Sequence, residues 1–351
     1  MKKLNVGMIG FGMSGRVFHG PMITSMDEFN FNKIVCSREA TVKAARESYP
    51  EVQIISDVDE LMADDTIDLI IVATPNLSHF KLAQKALLAN KHVIVEKPFT
   101  VTSAEADELI ELAKKQEKIV TVYQNRRWDS DFQTIKQVIE NGLLGNIVEY
   151  EAHFDRFRNY IKAGWREEQL PGSGMLYDLG SHLIDQAQYL FGLPKEIRAD
   201  IRVQRKCAKC DDNFELVLDY GQVKVTLKSG MLVREALPHF IVLGDQGSFL
   251  KYGMDTQEEM LKKGETPKTM ENWGAEPESI WGTINTDVNG LHIKGKIESL
   301  NGDYRGFYHN VYKAIMGKEE LIVKPEEARN TIKIIELAMK SNKEKRTIEF
   351  K

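Results

Sequence analysis

A glycine-rich turn near the start of the chain constrains the fold more than any other feature. Residues 4–9, Leu-Asn-Val-Gly-Met-Ile, read as a buried strand, and Gly10-Phe11-Gly12-Met13-Ser14-Gly15 follows directly. A G-x-G-x-x-G turn between a strand and a helix is typical of a Rossmann dinucleotide site. The first glycine allows the tight turn, the second admits the pyrophosphate, and the third lets helix and strand pack closely. We therefore expect these six residues to bind a dinucleotide.

The segments that follow continue the strand–helix alternation to residue 123. Strands are predicted over residues 31–35, 52–55, 69–72, 92–95 and 119–123, with helices over 40–49, 78–89 and 103–116. The run Leu69-Ile70-Ile71-Val72 suits burial on both faces, as in a central parallel strand. This pattern predicts an α/β fold with an N-terminal Rossmann dinucleotide-binding domain over residues 1–123.

After residue 123 the pattern changes to longer strands and fewer helices. Strands are predicted over 147–157, 197–204, 214–219, 223–227, 239–243 and 248–252, and helices over 132–139, 175–190 and 325–342. Residues 264–303 are rich in Gly, Pro, Thr and Asn and are expected to be mostly loop. Residues 124–351 are thus predicted to form a C-terminal α+β domain with a mostly antiparallel open sheet.

Charge and cysteine content narrow the class of protein. The 351 residues hold 47 Lys and Arg against 52 Asp and Glu, a formal net charge of −5. A mildly acidic chain is not expected to bind nucleic acid, and no apolar run reaches the length of a membrane helix. With three cysteines and no recognisable leader, we expect a cytoplasmic protein with neither a disulfide framework nor a metal site. Cys207-Ala208-Lys209-Cys210 is a single C-x-x-C, interpreted as a strand-to-strand loop.

The end of the second strand bears on which dinucleotide binds. An NAD site places an acidic residue there to bind the ribose hydroxyls. This chain has Ser37 and Arg38 instead, a hydroxyl and a guanidinium suited to a 2′-phosphate. NADP is therefore favoured, and NAD remains the alternative if Glu39 or a rotated loop binds the ribose.

Further motifs resemble those of the Gfo/Idh/MocA oxidoreductase family over essentially the whole chain. They are Ala73-Thr74-Pro75-Asn76 with His79, and Glu96-Lys97-Pro98. The segments at residues 123–129 and 176–186 are most similar to the branch that contains NADP-dependent scyllo-inositol 2-dehydrogenase. The resemblance implies an NAD(P)-dependent dehydrogenase of a cyclic polyol or sugar that forms a homodimer or homotetramer. It also implies that residues 124–351 serve substrate binding and oligomerisation. It also implies that Thr74, Pro75, Asn76, His79, Glu96 and Lys97 face the cofactor.

In that family a lysine, an aspartate and a histidine carry the proton chemistry, and here they are Lys97, Asp178 and His182. Histidine suits the proton because its ordinary pKa, about 6.5, lies near working pH. Asp178 could orient His182 or bind a substrate hydroxyl itself, since the i, i+4 spacing puts both on one face of the predicted helix. Asn125, Trp165 and Arg166 are candidate substrate contacts.

Two other functions fit the same fold. One is an NAD-dependent glycosidase, in which the hydride returns within each cycle. The other is a non-catalytic sensor that binds the dinucleotide. The sensor is disfavoured because Lys97, Asp178 and His182 are all present, and the glycosidase because Ser37 and Arg38 favour NADP.

Overall fold

The computed structural model describes residues 2–351, and its first part alternates strands with helices as predicted. In chain order the elements are β1 (Leu4–Ile9), α1 (Gly20–Thr24), β2 (Phe29–Val35), α2 (Glu39–Ser48), β3 (Gln53–Ile55), α3 (Val58–Met62), β4 (Leu69–Val72), α4 (His79–Leu88), β5 (His92–Val95), α5 (Ser103–Lys115) and β6 (Val120–Val122).

The rest of the chain is richer in strands. Its elements are α6 (Ser130–Glu140), β7 (Ile147–His153), α7 (Ser181–Phe191), β8 (Glu196–Arg202), β9 (Asn213–Asp219), β10 (Lys224–Gly230), β11 (Phe240–Gly244), β12 (Gly247–Lys251), α8 (Gln257–Lys262), β13 (Gly282–Val288), β14 (Leu291–Ile297), α9 (Arg305–Ile315), α10 (Pro325–Glu344) and β15 (Ile348–Glu349).

The first compact unit is built on a six-stranded parallel sheet in the order β3-β2-β1-β4-β5-β6. All four residues of β4 are buried, as the aliphatic run predicts. The strand order reverses between β1 and β4, and a ligand of such a sheet binds at the carboxyl ends beside that switch. The prediction of a Rossmann fold is confirmed.

Two later segments of the chain, residues 257–273 and 303–329, also belong to this unit. They contribute aromatic side chains to its core. The ring of Tyr123 meets that of Phe307 at 5.0 Å and that of Tyr308 at 5.7 Å between centroids. Tyr308 therefore lies in the aromatic core of the unit that carries the glycine turn.

The second compact unit is built on a nine-stranded sheet in the order β14-β13-β12-β11-β7-β10-β9-β8-β15. Its pairings are antiparallel except for β7 with β10. Burial along β7 shows that one face of this sheet is covered. Tyr150 and Ala152 are fully buried, while the alternate Glu149 and Glu151 are half-buried. The predicted α+β domain with a mostly antiparallel sheet is confirmed.

The expectation that residues 264–303 are mostly loop is wrong for β13 and β14. These strands pair in register from Gly282 with Ile297 to Val288 with Leu291. Strand β14 lies at the edge of the sheet, and every residue from Leu291 to Lys296 is exposed. In β14, Leu291, Ile293 and Ile297 alternate with polar residues, but the loop prediction followed the Gly, Pro, Thr and Asn content of the whole segment instead of this alternation.

The helix predicted over residues 175–190 is not regular. It begins with a π-helical turn, Leu176–Gly180, before α7 continues it. A Cβ on Gly180 would lie 2.9 Å from a methyl carbon of Leu176, so only glycine fits there without displacement. Among residues 2–351, no helix has the length and apolar character to cross a bilayer.

Candidate active site

The three glycines of the G-x-G-x-x-G turn meet different surroundings. Gly10 has φ +94°, a left-handed conformation that glycine adopts without strain, and a Cβ there would lie 2.5 Å from the Ala73 carbonyl oxygen. A Cβ on Gly15 would lie 2.6 Å from the Gly10 carbonyl oxygen. A Cβ on Gly12 would meet no protein atom within 4 Å. The turn is therefore closed on the protein side at Gly10 and Gly15 and open at Gly12, which fits a bound pyrophosphate.

Of the side chains inside the turn, Phe11 is buried against the protein and Met13 is exposed. Phe11 is buried and its ring contacts Tyr49 edge-on at 5.9 Å, so it anchors the turn. Met13 is 52% exposed beside Gly12. Ser14 begins a π-helical turn, Ser14–His19, and insertions of this kind are frequent at functional sites.

A buried polar network joins this turn to the end of β5. The Glu96 carboxylate accepts hydrogen bonds from the Ser14 hydroxyl and, at 3.0 Å, from Nε2 of His19. The other ring nitrogen of His19 lies 2.5 Å from the Tyr308 hydroxyl. Burial alone would raise the pKa of Glu96, but the hydrogen bonds from His19 and Ser14 and the charge of Lys97 outweigh it and lower that pKa to about 2.

Lys97 is held at its backbone by the same network. Its backbone N–H donates to the second carboxylate oxygen of Glu96 at 2.9 Å, and the Lys97–Pro98 peptide bond is cis. The side chain is half-buried. Lys97 thus lies just beyond the carboxyl end of β5, on the edge of the sheet where a Rossmann ligand binds.

The loop after β4 is tied to the loop after β5 by His79. One ring nitrogen of His79 lies 2.9 Å from the Pro98 carbonyl oxygen and the other 2.9 Å from that of Thr74. Asn76 is buried, Pro75 is exposed, and the Thr74 hydroxyl accepts from Ser78 at 2.7 Å. Burial lowers the pKa of His79. His79 therefore fixes the loops that carry Thr74 and Lys97.

Ser37 and Arg38 lie just beyond the carboxyl end of β2, and both are exposed. Arg38 has extended backbone and occupies the position before the first residue of α2. Its neighbour Glu39 begins that helix and is also exposed. Asn125, after β6, is 6% exposed and belongs to the same compact unit.

In the second unit, Arg166 connects two of the predicted site residues. Its Nε donates to the Asp178 carboxylate at 3.1 Å, and its guanidinium carbon lies 4.5 Å from the centre of the Trp165 ring. Asp178 lies on the π-helical turn, whereas His182 lies in the first turn of α7. Trp165, Arg166 and Asp178 therefore form one cluster that presents an indole face, a guanidinium and a carboxylate.

Phe154 is a residue of this region that the sequence analysis missed. The His182 ring stacks on it at 6.5 Å with an interplanar angle of 28°. The guanidinium groups of Arg126 and Arg156 lie 4.9 and 5.3 Å from the centre of the same ring. The alternation of Phe154, Arg156 and Arg158 after β7 is the one sequence signal that could have indicated it.

Arg126 and Arg127 make ion pairs within the second unit. Arg127 binds the Asp185 carboxylate through two hydrogen bonds of 2.8 and 2.7 Å, and Arg126 binds Asp129 at 3.0 Å. Arg127 is 1% exposed. Arg127 is therefore better explained as a buried ion-pair residue than as a contact for an anionic substrate.

No group of three or more His, Cys, Asp or Glu among residues 2–351 could hold a metal ion. Cys207 and Cys210 lie in the loop between β8 and β9, as the sequence predicts.

Two family models together match most of the chain. Residues 4–124 match the Gfo/Idh/MocA model described as "Oxidoreductase family, NAD-binding Rossmann fold". Residues 136–350 match the companion model described as "Oxidoreductase family, C-terminal alpha/beta domain".

Relatives are similar over nearly their whole length. The chain is 40% identical to scyllo-inositol 2-dehydrogenase (NADP(+)) IolW of Bacillus subtilis over 98% of this chain and 95% of that protein. It is also 40% identical to the uncharacterized oxidoreductase YdgJ of Escherichia coli over 98% of both chains. The crystal structure of an oxidoreductase from Bacillus cereus superposes with a TM-score of 0.92 at 36% identity and covers 99% of each chain.

Proposed function

The chain belongs to the Gfo/Idh/MocA oxidoreductase family, and we propose that it is an NADP-dependent dehydrogenase of an inositol-like cyclic polyol or sugar. That it is an NAD(P)-dependent oxidoreductase acting on CH–OH groups follows from the family and its relatives. The choice of NADP, the substrate class and the residue roles are the proposal.

The cofactor preference rests on Ser37 and Arg38. Both are exposed at the carboxyl end of β2, where the adenosine ribose of a Rossmann ligand lies. A guanidinium forms strong charge-assisted hydrogen bonds with a phosphate, and a hydroxyl adds a neutral donor. The relative IolW of Bacillus subtilis carries NADP(+) in its name, which supports the same choice.

The dinucleotide, when bound, supplies the hydride acceptor and donor. Gly12 gives the pyrophosphate close access to the backbone, because no side chain occupies that side of the turn. Lys97 donates to the reacting oxygen of the substrate and stabilises its negative charge as the C–H bond breaks. The Glu96 carboxylate holds the Lys97 backbone in place for this task.

The residues of the second unit bind the polyol and move its proton. His182 accepts the hydroxyl proton during oxidation and returns it during reduction, because an imidazole changes charge near neutral pH. Trp165 offers an aromatic face to the ring of the polyol. Arg166 and Asp178 offer a donor and an acceptor for adjacent hydroxyls. The hydrogen bond of 3.1 Å between them orients both side chains.

The single observation that carries the proposal is the Arg166–Asp178–Trp165 cluster in a chain that also carries Lys97 and His182. A sensor that only binds the dinucleotide needs neither a catalytic lysine nor a polyol-binding cluster.

The test is to titrate the purified protein with NADP and NAD separately, then to assay both with scyllo-inositol, myo-inositol and common aldoses. Tighter binding of NADP with turnover of an inositol is expected. Turnover of an aldose alone would overturn the inositol assignment, and a preference for NAD would overturn the role of Arg38. Release of phenol from an aryl glycoside without net NADPH would instead identify a glycosidase.

A further inference from the structure

The loop between β8 and β9, residues 203–212, forms hydrogen bonds and ion pairs with the segment that carries the proposed substrate residues. Arg205 donates to the Tyr160 carbonyl oxygen at 2.8 Å and binds the Glu167 carboxylate at 2.7 Å. Lys209 binds the Glu168 carboxylate at 2.7 Å. This loop contains the C-x-x-C motif that neither metal binding nor the proposed reaction accounts for.

Cys210 holds the backbone of the substrate segment. Its thiol donates to the Arg166 carbonyl oxygen at 3.2 Å, and the same oxygen accepts from the Gly174 N–H at 3.1 Å. Burial, and then the negative charge of Asp211, raise the pKa of Cys210 to about 11. The thiol therefore stays protonated at neutral pH, so it donates a hydrogen bond and is a poor nucleophile or metal ligand.

Asp211 caps the helical segment that carries Asp178 and His182. Its carboxylate accepts from the Leu176 N–H at 2.7 Å, and its backbone carbonyl accepts from the Met175 N–H at 3.0 Å. These are N–H groups of a first helical turn, which have no partner within the helix. Gly174 leaves room for the carboxylate, since a Cβ there would lie 2.0 Å from it.

We propose that Asp211 and Cys210 are positioning residues of the substrate site, which fix the helix start and the Arg166 backbone so that Arg166 and Asp178 keep their geometry. The proposal rests on the proposed function for its substrate but on the described contacts for its geometry. Neither residue touches the reacting atoms in this account, and both act through Arg166 and the Leu176–Gly180 turn.

The pKa of Asp211 predicts how its variants differ in stability. Burial raises the pKa of Asp211 to about 6, although backbone N–H groups act in the opposite direction. Because the folded-state pKa lies above the ordinary value of 3.8, stability falls as the pH rises from about 3.8 to about 6, and the full cost of ionised Asp211 is present above that. A neutral side chain at this position removes that cost, so Asp211→Asn is expected to be at least as stable as the wild type at pH 8.

The experiment compares Asp211→Ala, Asp211→Asn and the control Asp200→Ala, whose half-exposed carboxylate binds Arg202. Loss of a helix cap predicts a rise of about five- to tenfold in the KM for scyllo-inositol in Asp211→Ala, with the KM for NADP unchanged. Asp211→Asn keeps an acceptor oxygen and is expected to restore the polyol KM. The control is expected to change neither constant.

Amide hydrogen exchange tests the cap without any substrate. The Leu176–Asp178 amides are expected to exchange about five- to tenfold faster in Asp211→Ala than in the wild type or Asp211→Asn. Faster exchange with an unchanged polyol KM would overturn the positioning role, as would a defect in Asp211→Asn equal to that of Asp211→Ala. Absence of polyol turnover in the wild type would overturn the proposed function, while the exchange rates would still decide whether Asp211 orders this turn.

Cys210 provides a second test in a protein whose cap is intact. Cys210→Ala removes the donor to the Arg166 carbonyl oxygen and is expected to raise the polyol KM about two- to fivefold, whereas Cys210→Ser is expected to retain it. Cys207→Ala, at the exposed thiol of the same motif, is the matched control. Equal effects of Cys207→Ala and Cys210→Ala would overturn the role of Cys210.

Discussion

Glu96 and His19 are joined by a buried hydrogen bond of 3.0 Å, which links the end of β5 to the helical turn that follows the glycine turn. The same carboxylate binds the backbone N–H of Lys97. The elements proposed to hold the pyrophosphate and the catalytic lysine are therefore connected through one side chain.

Glu96→Gln is predicted to lower stability in a pH-dependent way. The folded-state pKa of Glu96, about 2, lies below its ordinary value of 4.5. Its ionised form therefore stabilises the fold above pH 4.5, by about 3 kcal/mol at most, and this contribution is lost as the pH falls from 4.5 toward 2. Urea unfolding should show a wild-type advantage at pH 7 that shrinks at pH 3.5. The exposed Glu47→Gln should show little difference at either pH, and a pH-independent gap for Glu96→Gln would contradict the account.

The glycine turn offers a matched pair of variants. Gly12→Ala places its Cβ in open space, so the free energy of unfolding should not change while NADP affinity falls about tenfold or more. Gly15→Ala places its Cβ 2.6 Å from the Gly10 carbonyl oxygen and should lower stability by about 1–3 kcal/mol. Unfolding curves and fluorescence titration with NADPH measure both effects. Unchanged NADP affinity in Gly12→Ala would exclude pyrophosphate binding at this turn.

Arg38→Ala is predicted to weaken the binding of NADP without weakening the binding of NAD. Loss of a charge-assisted hydrogen bond to the 2′-phosphate should raise the Kd for NADP about tenfold to a hundredfold, whereas NAD lacks that phosphate. Lys43→Ala, an exposed change on α2, is the control. An equal loss for both dinucleotides would mean that Arg38 does not bind the 2′-phosphate.

Arg127→Ala is predicted to destabilise the protein rather than to alter substrate specificity. It leaves the Asp185 carboxylate buried without its bidentate partner, which typically costs about 3–5 kcal/mol. Arg329→Ala, which removes a more exposed pair with Asp107, should cost about 1 kcal/mol or less. Chemical denaturation of the two variants distinguishes them. Native stability with a raised polyol KM in Arg127→Ala would contradict this and indicate that Arg127 contacts the substrate.

Local sequence signals account for the parts of the fold that were predicted well. The boundaries of β4 match the predicted strand because a run of four aliphatic residues is buried on both faces. Thr102 caps α5 through a capping box with Glu105, three residues later. Both signals lie within a few residues of the element that they define.

The parts that were missed depend on contacts between distant residues. Asp211 meets Leu176 across 35 positions of sequence, and its role as a cap cannot be inferred from either residue alone. The Arg166–Asp178 pair likewise needed the fold to bring a loop onto a helical turn.

The most direct test of the central claim is the steady-state formation of NADPH from NADP and scyllo-inositol by the wild type and by Lys97→Ala. Loss of a group that stabilises charge in the transition state should lower kcat about a hundredfold or more, with NADP binding preserved. We predict robust turnover in the wild type and loss of turnover in Lys97→Ala. Full turnover in Lys97→Ala, or none in the wild type with any polyol, would contradict the account.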